Sequence, residues 1–132
     1  MTNQQLFTRV SQHLLRQNRQ SLLSPDHCAY RSPTGLQCAI GCLIPKRRYR
    51  PEFEGFRIVP PNLHSEISTQ VSRAIQRAAG LRGAYQLRLA AELQALHDTK
   101  KPATWAKGLE LIRFWWDLKP ATARRKSRKK GR

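Results

Sequence analysis

The sequence predicts a mainly helical α+β domain, about four helices packed with one β-hairpin, ending in a disordered basic C-terminal tail. Three observations predict it. Four stretches space apolar residues three or four positions apart, as one face of a helix requires. The run Ser32-Pro-Thr-Gly35 sets turn-forming residues between two apolar segments. From Lys119 onward the final 14 residues carry eight positive charges and no acidic one, a composition with no large apolar side chain to bury against a core. Residues 1–118 are therefore expected as a single globular domain and 119–132 as a flexible basic tail.

The first helix is expected over Thr2 to Arg19, where Leu6, Val10 and Leu14 stand four apart with Phe7 and Leu15 beside them. Thr2 suits its N-cap and Gln5, three residues on, completes a capping box. The helix must stop before Pro25, because proline donates no amide hydrogen bond and disfavours helix in the residue preceding it. Cys28 to Arg31 reads as a short strand and Leu36 to Ile44 as its return, giving a hairpin over about 28–43. Pro45 to Leu63 holds four prolines and one glycine and reads as a long irregular connection, a kind of loop that often carries function. Ser65 suits the cap of a second helix carrying Ile67, Val71, Ile75 and Ala78, ended by Gly80. A third helix is expected over Ala84 to His97, burying Leu89, Leu93 and Leu96. The fourth runs from about Ala103 to Leu118, with Trp105, Leu109, Ile112 and Trp116 on one face and Leu111, Trp115 and Leu118 on another.

Charge selects the class of partner. The chain has 25 Lys/Arg against eight Asp/Glu, a formal +17, and the first 118 residues alone stand at +9. Such a surface gains free energy by displacing the cations condensed on a nucleic acid, largely regardless of sequence. The tail cations Arg124, Arg125, Lys126, Arg128, Lys129 and Lys130 form no amphipathic stripe, which argues against a membrane helix. A second cluster, Lys46, Arg47, Arg48 and Arg50, encloses Tyr49, with Phe53 and Phe56 close behind. These rings suit stacking on unpaired bases. They are also large aromatic anchors for a long loop, and that reading is favoured. Trp115 and Trp116, about 100° apart on a helix, cannot both face the core. One is expected near the surface as a protein-interface candidate, unless the helix is buried on two sides.

The chain opens with no basic and apolar leader and contains no run of 18 apolar residues, so a cytoplasmic protein with no membrane partner is expected. Three cysteines, an odd number, fit a reducing compartment. His27, Cys28, Cys38 and Cys42 lie close enough in sequence to raise a zinc site. Their spacing is poor for one, because only Cys38 and Cys42 form a pair of the usual separation. A thiol enzyme would draw on Cys28 or Cys38 with His97 and Asp98. Asp98 directly follows His97, which makes it an awkward orienting group, and His97 suits the end of a helix dipole instead. No phosphate-binding glycine loop, metalloprotease motif or carboxylate dyad is present, and no cofactor is expected.

Cys28-Ala-Tyr-Arg31, the run Gly35-Leu-Gln-Cys-Ala-Ile-Gly-Cys-Leu-Ile-Pro45, Tyr49, Leu93-Gln-Ala-Leu-His-Asp98 and Trp105 together resemble a family of small uncharacterised proteins encoded by bacteriophages and bacterial mobile elements. The residues that carry the resemblance number 23 of the 132. It implies a phage or prophage origin and a bacterial cytoplasm, and it carries no catalytic role. Members tend to be acidic after the proline and to lack a basic tail, so Lys46, Arg47, Arg48 and the tail depart from the pattern together. The expected function is non-enzymatic nucleic-acid binding, DNA or RNA, through sequence-independent contacts to phosphate. The alternatives are a protein-binding inhibitor or adaptor acting on a host or phage protein, and a thiol- or zinc-dependent enzyme.

Overall fold

A computed structural model describes residues 1–59 and 66–121. Along them run α1 (Asn3–Gln17), β1 (Leu22–Ser24), β2 (His27–Cys28), α2 (Glu66–Ala79), α3 (Ala84–Thr99) and α4 (Trp105–Trp116). Short 3₁₀ turns occur at Gly41–Leu43, Lys46–Arg48, Pro51–Phe53 and Pro102–Thr104. This is the mainly helical α+β arrangement the sequence predicts, with a two-stranded antiparallel sheet. Helices α1, α3 and α4 pack on one another, while α2 lies against the turns at 41–43 and 51–53.

The start of α1 follows the sequence signal closely. Thr2 Oγ1 accepts the Gln5 amide at 3.0 Å, and Gln5 Oε1 accepts the Thr2 amide at 2.8 Å, which satisfies two amides that the helix itself leaves unpaired. Leu6, Phe7, Val10 and Leu14 are buried, each removing enough apolar surface from water to stabilise the fold by roughly 1.5–3 kcal/mol. The helix ends nearly two turns earlier than the proline demands, with Asn18 in the left-handed region.

The hairpin lies elsewhere than expected. Leu22 pairs with Cys28 and Ser24 with His27 around Pro25-Asp26, so Cys28 closes the hairpin instead of opening it. The Ser32–Gly35 turn does form, with the Gly35 amide on the Ser32 carbonyl at 2.9 Å, but only the single bridge Arg31 to Gln37 follows it. The predicted return strand winds into turns instead. Cys38, Ala39, Ile40 and Gly41 are all buried in succession, and a segment buried on every side cannot alternate as a strand of a two-stranded sheet does. Gly41 makes the close turn possible, since a Cβ there would stand 2.0 Å from the Tyr30 carbonyl oxygen.

The irregular connection after Pro45 is attached by polar groups as well as rings. The Glu54 carboxylate accepts the amides of Tyr30 (2.9 Å) and Arg31 (3.1 Å) and the Tyr49 hydroxyl (2.6 Å). Tyr30 donates its own hydroxyl to the Phe56 carbonyl at 2.5 Å. Phe53 is buried, and Tyr49 and Phe56 pack on the core's edge. They are the loop's anchors, the reading favoured from sequence.

Of the second helix's expected stripe, Ile75 and Ala78 are buried and Val71 half-buried, but Ile67 is exposed. The expected cap at position 65 lies outside the described residues. The helix ends as Gly80 predicts: the Gly80 amide donates to the Arg77 carbonyl (3.1 Å) and the Leu81 amide to that of Gln76 (2.9 Å), with Gly80 at φ 74° in a Schellman motif. In α3, Leu89, Leu93 and Leu96 are buried. The inward face of α4 carries Trp105 and Leu109, with Ile112 and Trp116 half-buried. Beyond α4 the chain closes back on α1: the Lys119 amide donates to Gln4 Oε1 at 2.8 Å, and Gln4 Nε2 donates to the Lys119 carbonyl at 3.0 Å. Among the described residues no helix is long and apolar enough to cross a membrane.

Candidate nucleic-acid interface and the Cys28 cluster

Lys46, Arg47 and Arg48 form one exposed 3₁₀ turn, and Arg50 is exposed just beyond it. The turn is held from beneath by Tyr49, whose ring meets Phe53 edge-on at 6.2 Å and lies under the Arg31 guanidinium at 5.5 Å. Burial and the adjacent Glu54 push the Tyr49 hydroxyl up to about 12. Tyr49 thus carries the basic turn, with its ring already in contact with Arg31 and Phe53. The cations above it are free to reach phosphate.

The same pattern holds over the rest of the surface. Of the 18 Lys/Arg among the described residues, all but Arg31 and Arg113 are exposed. Among those residues a Lys or Arg meets a carboxylate in an ion pair only once, Arg113 to Glu110 at 3.0 Å. That pair lowers Glu110 and raises Arg113 from their ordinary values. The acidic groups are occupied differently. Glu54 holds the loop, Asp98 accepts from His97 and Gln94 (2.8 and 2.7 Å), and Glu92 accepts from Trp116 Nε1 at 2.9 Å. Arg124, Arg125, Lys126, Arg128, Lys129 and Lys130 lie outside the described residues.

The two tryptophans separate as their spacing requires. Trp116 is half-buried and tied to Glu92, whereas Trp115 is 80% exposed. Beside it stand Phe114, 74% exposed, and Leu111, 57% exposed. The Phe114 and Trp115 rings meet edge to face at 6.4 Å. Sequence reasoning placed Leu111 and Trp115 on a second face of α4 but missed Phe114. The signal was present in the run Phe114-Trp115-Trp116, since three successive rings exceed what one buried face can hold.

The suggested zinc ligands do not converge. His27 is exposed and bonds Ser24 Oγ through Nδ1 at 2.9 Å, while the Cys42 thiol donates to the Ala39 carbonyl at 3.1 Å. Among the described residues one group of three metal-capable side chains does gather, Cys28, His97 and Asp98, with ligand atoms within 4.8 Å of one another. Its hydrogen bonds oppose both metal and thiol chemistry. The Ser21 amide donates to His97 Nε2 at 3.0 Å, and a backbone amide can only donate. Nε2 is therefore the acceptor and Nδ1 carries the proton, which it gives to Asp98 Oδ1 at 2.8 Å. Neither nitrogen keeps a lone pair for a metal or for a thiol proton. The Asp98 side chain does orient its sequence neighbour, contrary to the expectation from adjacency.

Burial, reinforced by the negative charge of Asp98 and a hydrogen bond to it, pushes the Cys28 thiol up to about 12. An activated cysteine needs the reverse. Burial likewise raises Cys38 and takes Cys42 up to about 12. The cluster is architectural: Gln94 Oε1 accepts the Ile40 amide at 2.9 Å and its Nε2 donates to Asp98. Ser21 Oγ donates to the Ala29 carbonyl at 2.8 Å, and the His97 ring stacks on Trp105 at 5.4 Å. One polar chain thus joins the hairpin, the buried 38–41 segment and α3. Its members Cys28, Gln94 and Asp98 help line an open cleft of about 830 Å³ between the hairpin, residues 55–59 and α3, walled also by Leu23, Phe56 and Ile58. Comparison with protein families, curated proteins and solved structures finds no match for this chain.

Proposed function

We propose that this protein binds nucleic acid without catalysis and without sequence preference, as an accessory protein of a phage or mobile element. The observation that carries the proposal is the exposure of 16 of the 18 described Lys/Arg with a single carboxylate ion pair among them. Cations left unpaired in water are available to phosphate, and each contact releases condensed counterions. Lys46, Arg47, Arg48 and Arg50 supply contacts on the folded body, and Arg124 to Lys130 supply the sequence-independent arm. A deletion of residues 120–132 tests this. If the arm neutralises about six phosphates, its removal flattens the log-log salt dependence of duplex binding by roughly 5. Replacing Lys46, Arg47, Arg48 and Arg50 together with alanine flattens it further. Unchanged affinity and slope in both variants would remove the proposal.

A second reading, an inhibitor or adaptor that grips an acidic host or phage protein, is favoured by one observation, the exposure of Trp115. Its anchor is Trp115 and not Trp116, whose ring is already engaged with Glu92. A complex that survives nuclease and high salt, is lost in Trp115→Ala and persists after tail deletion would establish it in place of the first.

A further inference from the structure

We infer that the outward face of α4, centred on Trp115, stacks unpaired bases, so that single-stranded nucleic acid is the preferred polymer. This deepens the nucleic-acid reading and rests on it. Lys107, Leu111, Phe114 and Trp115 lie along one side of α4, opposite the buried Trp105 and Leu109. The ring of Trp115 stands in water over most of its surface, and the edge-to-face contact with Phe114 leaves a face of the indole open.

The charges around the rings select the occupant. Lys107 is exposed one turn before Leu111, and Lys119 is exposed just past the helix. Of the two acidic residues here, Glu110 is paired with Arg113 and Asp117 is the exposed C-cap, so the flanking cations outnumber the free carboxylate. Rings flanked at both ends by cations match a polymer that alternates a flat base with a phosphate. A second copy of the chain fits poorly, because it would bring two +17 surfaces and two cationic tails together. The tail itself has only Pro120, Ala121 and Ala123 to offer an apolar face. A duplex keeps its bases stacked on one another, so it would use the cations and leave the rings aside.

The test measures binding of labelled oligo(dT) and a labelled duplex to the full chain and to its Trp115→Ala, Trp115→Phe and Phe114→Ala variants. Trp115→Ala is expected to weaken oligo(dT) binding by about tenfold and to leave duplex affinity and the salt slope unchanged. Trp115→Phe should recover part of the loss. If both polymers bind and Trp115→Ala alters neither, or alters both equally, stacking is overturned while the broader proposal stands. If the unaltered protein binds neither polymer, both fall. Oligonucleotide affinity unchanged in Trp115→Ala, with loss of binding to phosphatidylglycerol vesicles or of a dimer in sedimentation, would assign the face to a bilayer or a second copy and overturn the inference.

Discussion

Replacing Glu54 with glutamine tests how the basic loop is fastened. One carboxylate receives three donors: the amides of Tyr30 and Arg31 and the hydroxyl of Tyr49. A hydrogen bond to a charged acceptor contributes about 1.5–3 kcal/mol when buried, and less at a half-exposed site. Glutamine keeps one acceptor oxygen but turns an NH₂ group toward at least one of those donors, so a bond is lost and a donor is left facing a donor. The expected cost is about 2–3 kcal/mol. For a folded part of about 120 residues, that corresponds to a fall in Tm of roughly 8–12 °C. Thermal and urea unfolding followed by far-UV circular dichroism would measure it. Glu52→Gln is the control, because it makes the same change in net charge at an exposed neighbour with none of these bonds, and its effect should stay within about 0.5 kcal/mol. Equal effects of the two substitutions would refute the claim that Glu54 fastens the loop.

Two further predictions concern the polar chain beneath the hairpin. His97→Phe keeps a ring against Trp105 but leaves the Ser21 amide unpaired in a buried place, a loss of about 2–3 kcal/mol; His97→Ala adds a cavity and should cost about 2 kcal/mol more, both read by urea unfolding. With folded-state values up to about 12 for Cys28 and Cys42 against an ordinary 9.0, the native thiols stay protonated at neutral pH. Alkylation by iodoacetamide at pH 8 should be much slower in the native state than in urea. The protonated thiol is the form the fold favours, so its stabilisation is complete below pH 9 and is lost as pH rises from 9 toward 12. A native thiol that reacts at the unfolded rate would contradict the burial and carboxylate contact that raise it.

The helices were legible because their signals are local. Thr2 with Gln5 is a cap written in four residues, and Gly80 marks an end by the one conformation other residues resist. The hairpin was misplaced because Cys38 to Ile44 is uniformly apolar, and such a run does not distinguish a buried strand from a buried coil. What decided the matter was the fit of Gly41 against the Tyr30 carbonyl, a contact between segments that neither segment announces. The candidate surfaces divided the same way. Exposure of Lys46 to Arg48 follows from charge alone. The role of Glu54 and the orientation of His97 by Ser21 depend on groups 23 to 76 positions apart.

The cationic surface follows partly from where the acidic residues are placed. A chain with eight acids and 25 bases would still be strongly positive if every acid faced a base, but its net field would be patchy, with neutral pairs among free cations. Here four of the eight, Glu54, Glu92, Asp98 and Glu110, hold a backbone amide, an indole, a histidine or a single arginine. Three of them are spent on neutral donors, so they neutralise no exposed lysine or arginine directly. The groups that fasten the loop and the hairpin are thereby withheld from pairing with the surface cations. Restoring pairs by charge reversal at Lys46 or Arg47 would therefore lower affinity for a polyanion with little effect on folding, whereas removing Glu54 would unfasten the turn that presents them.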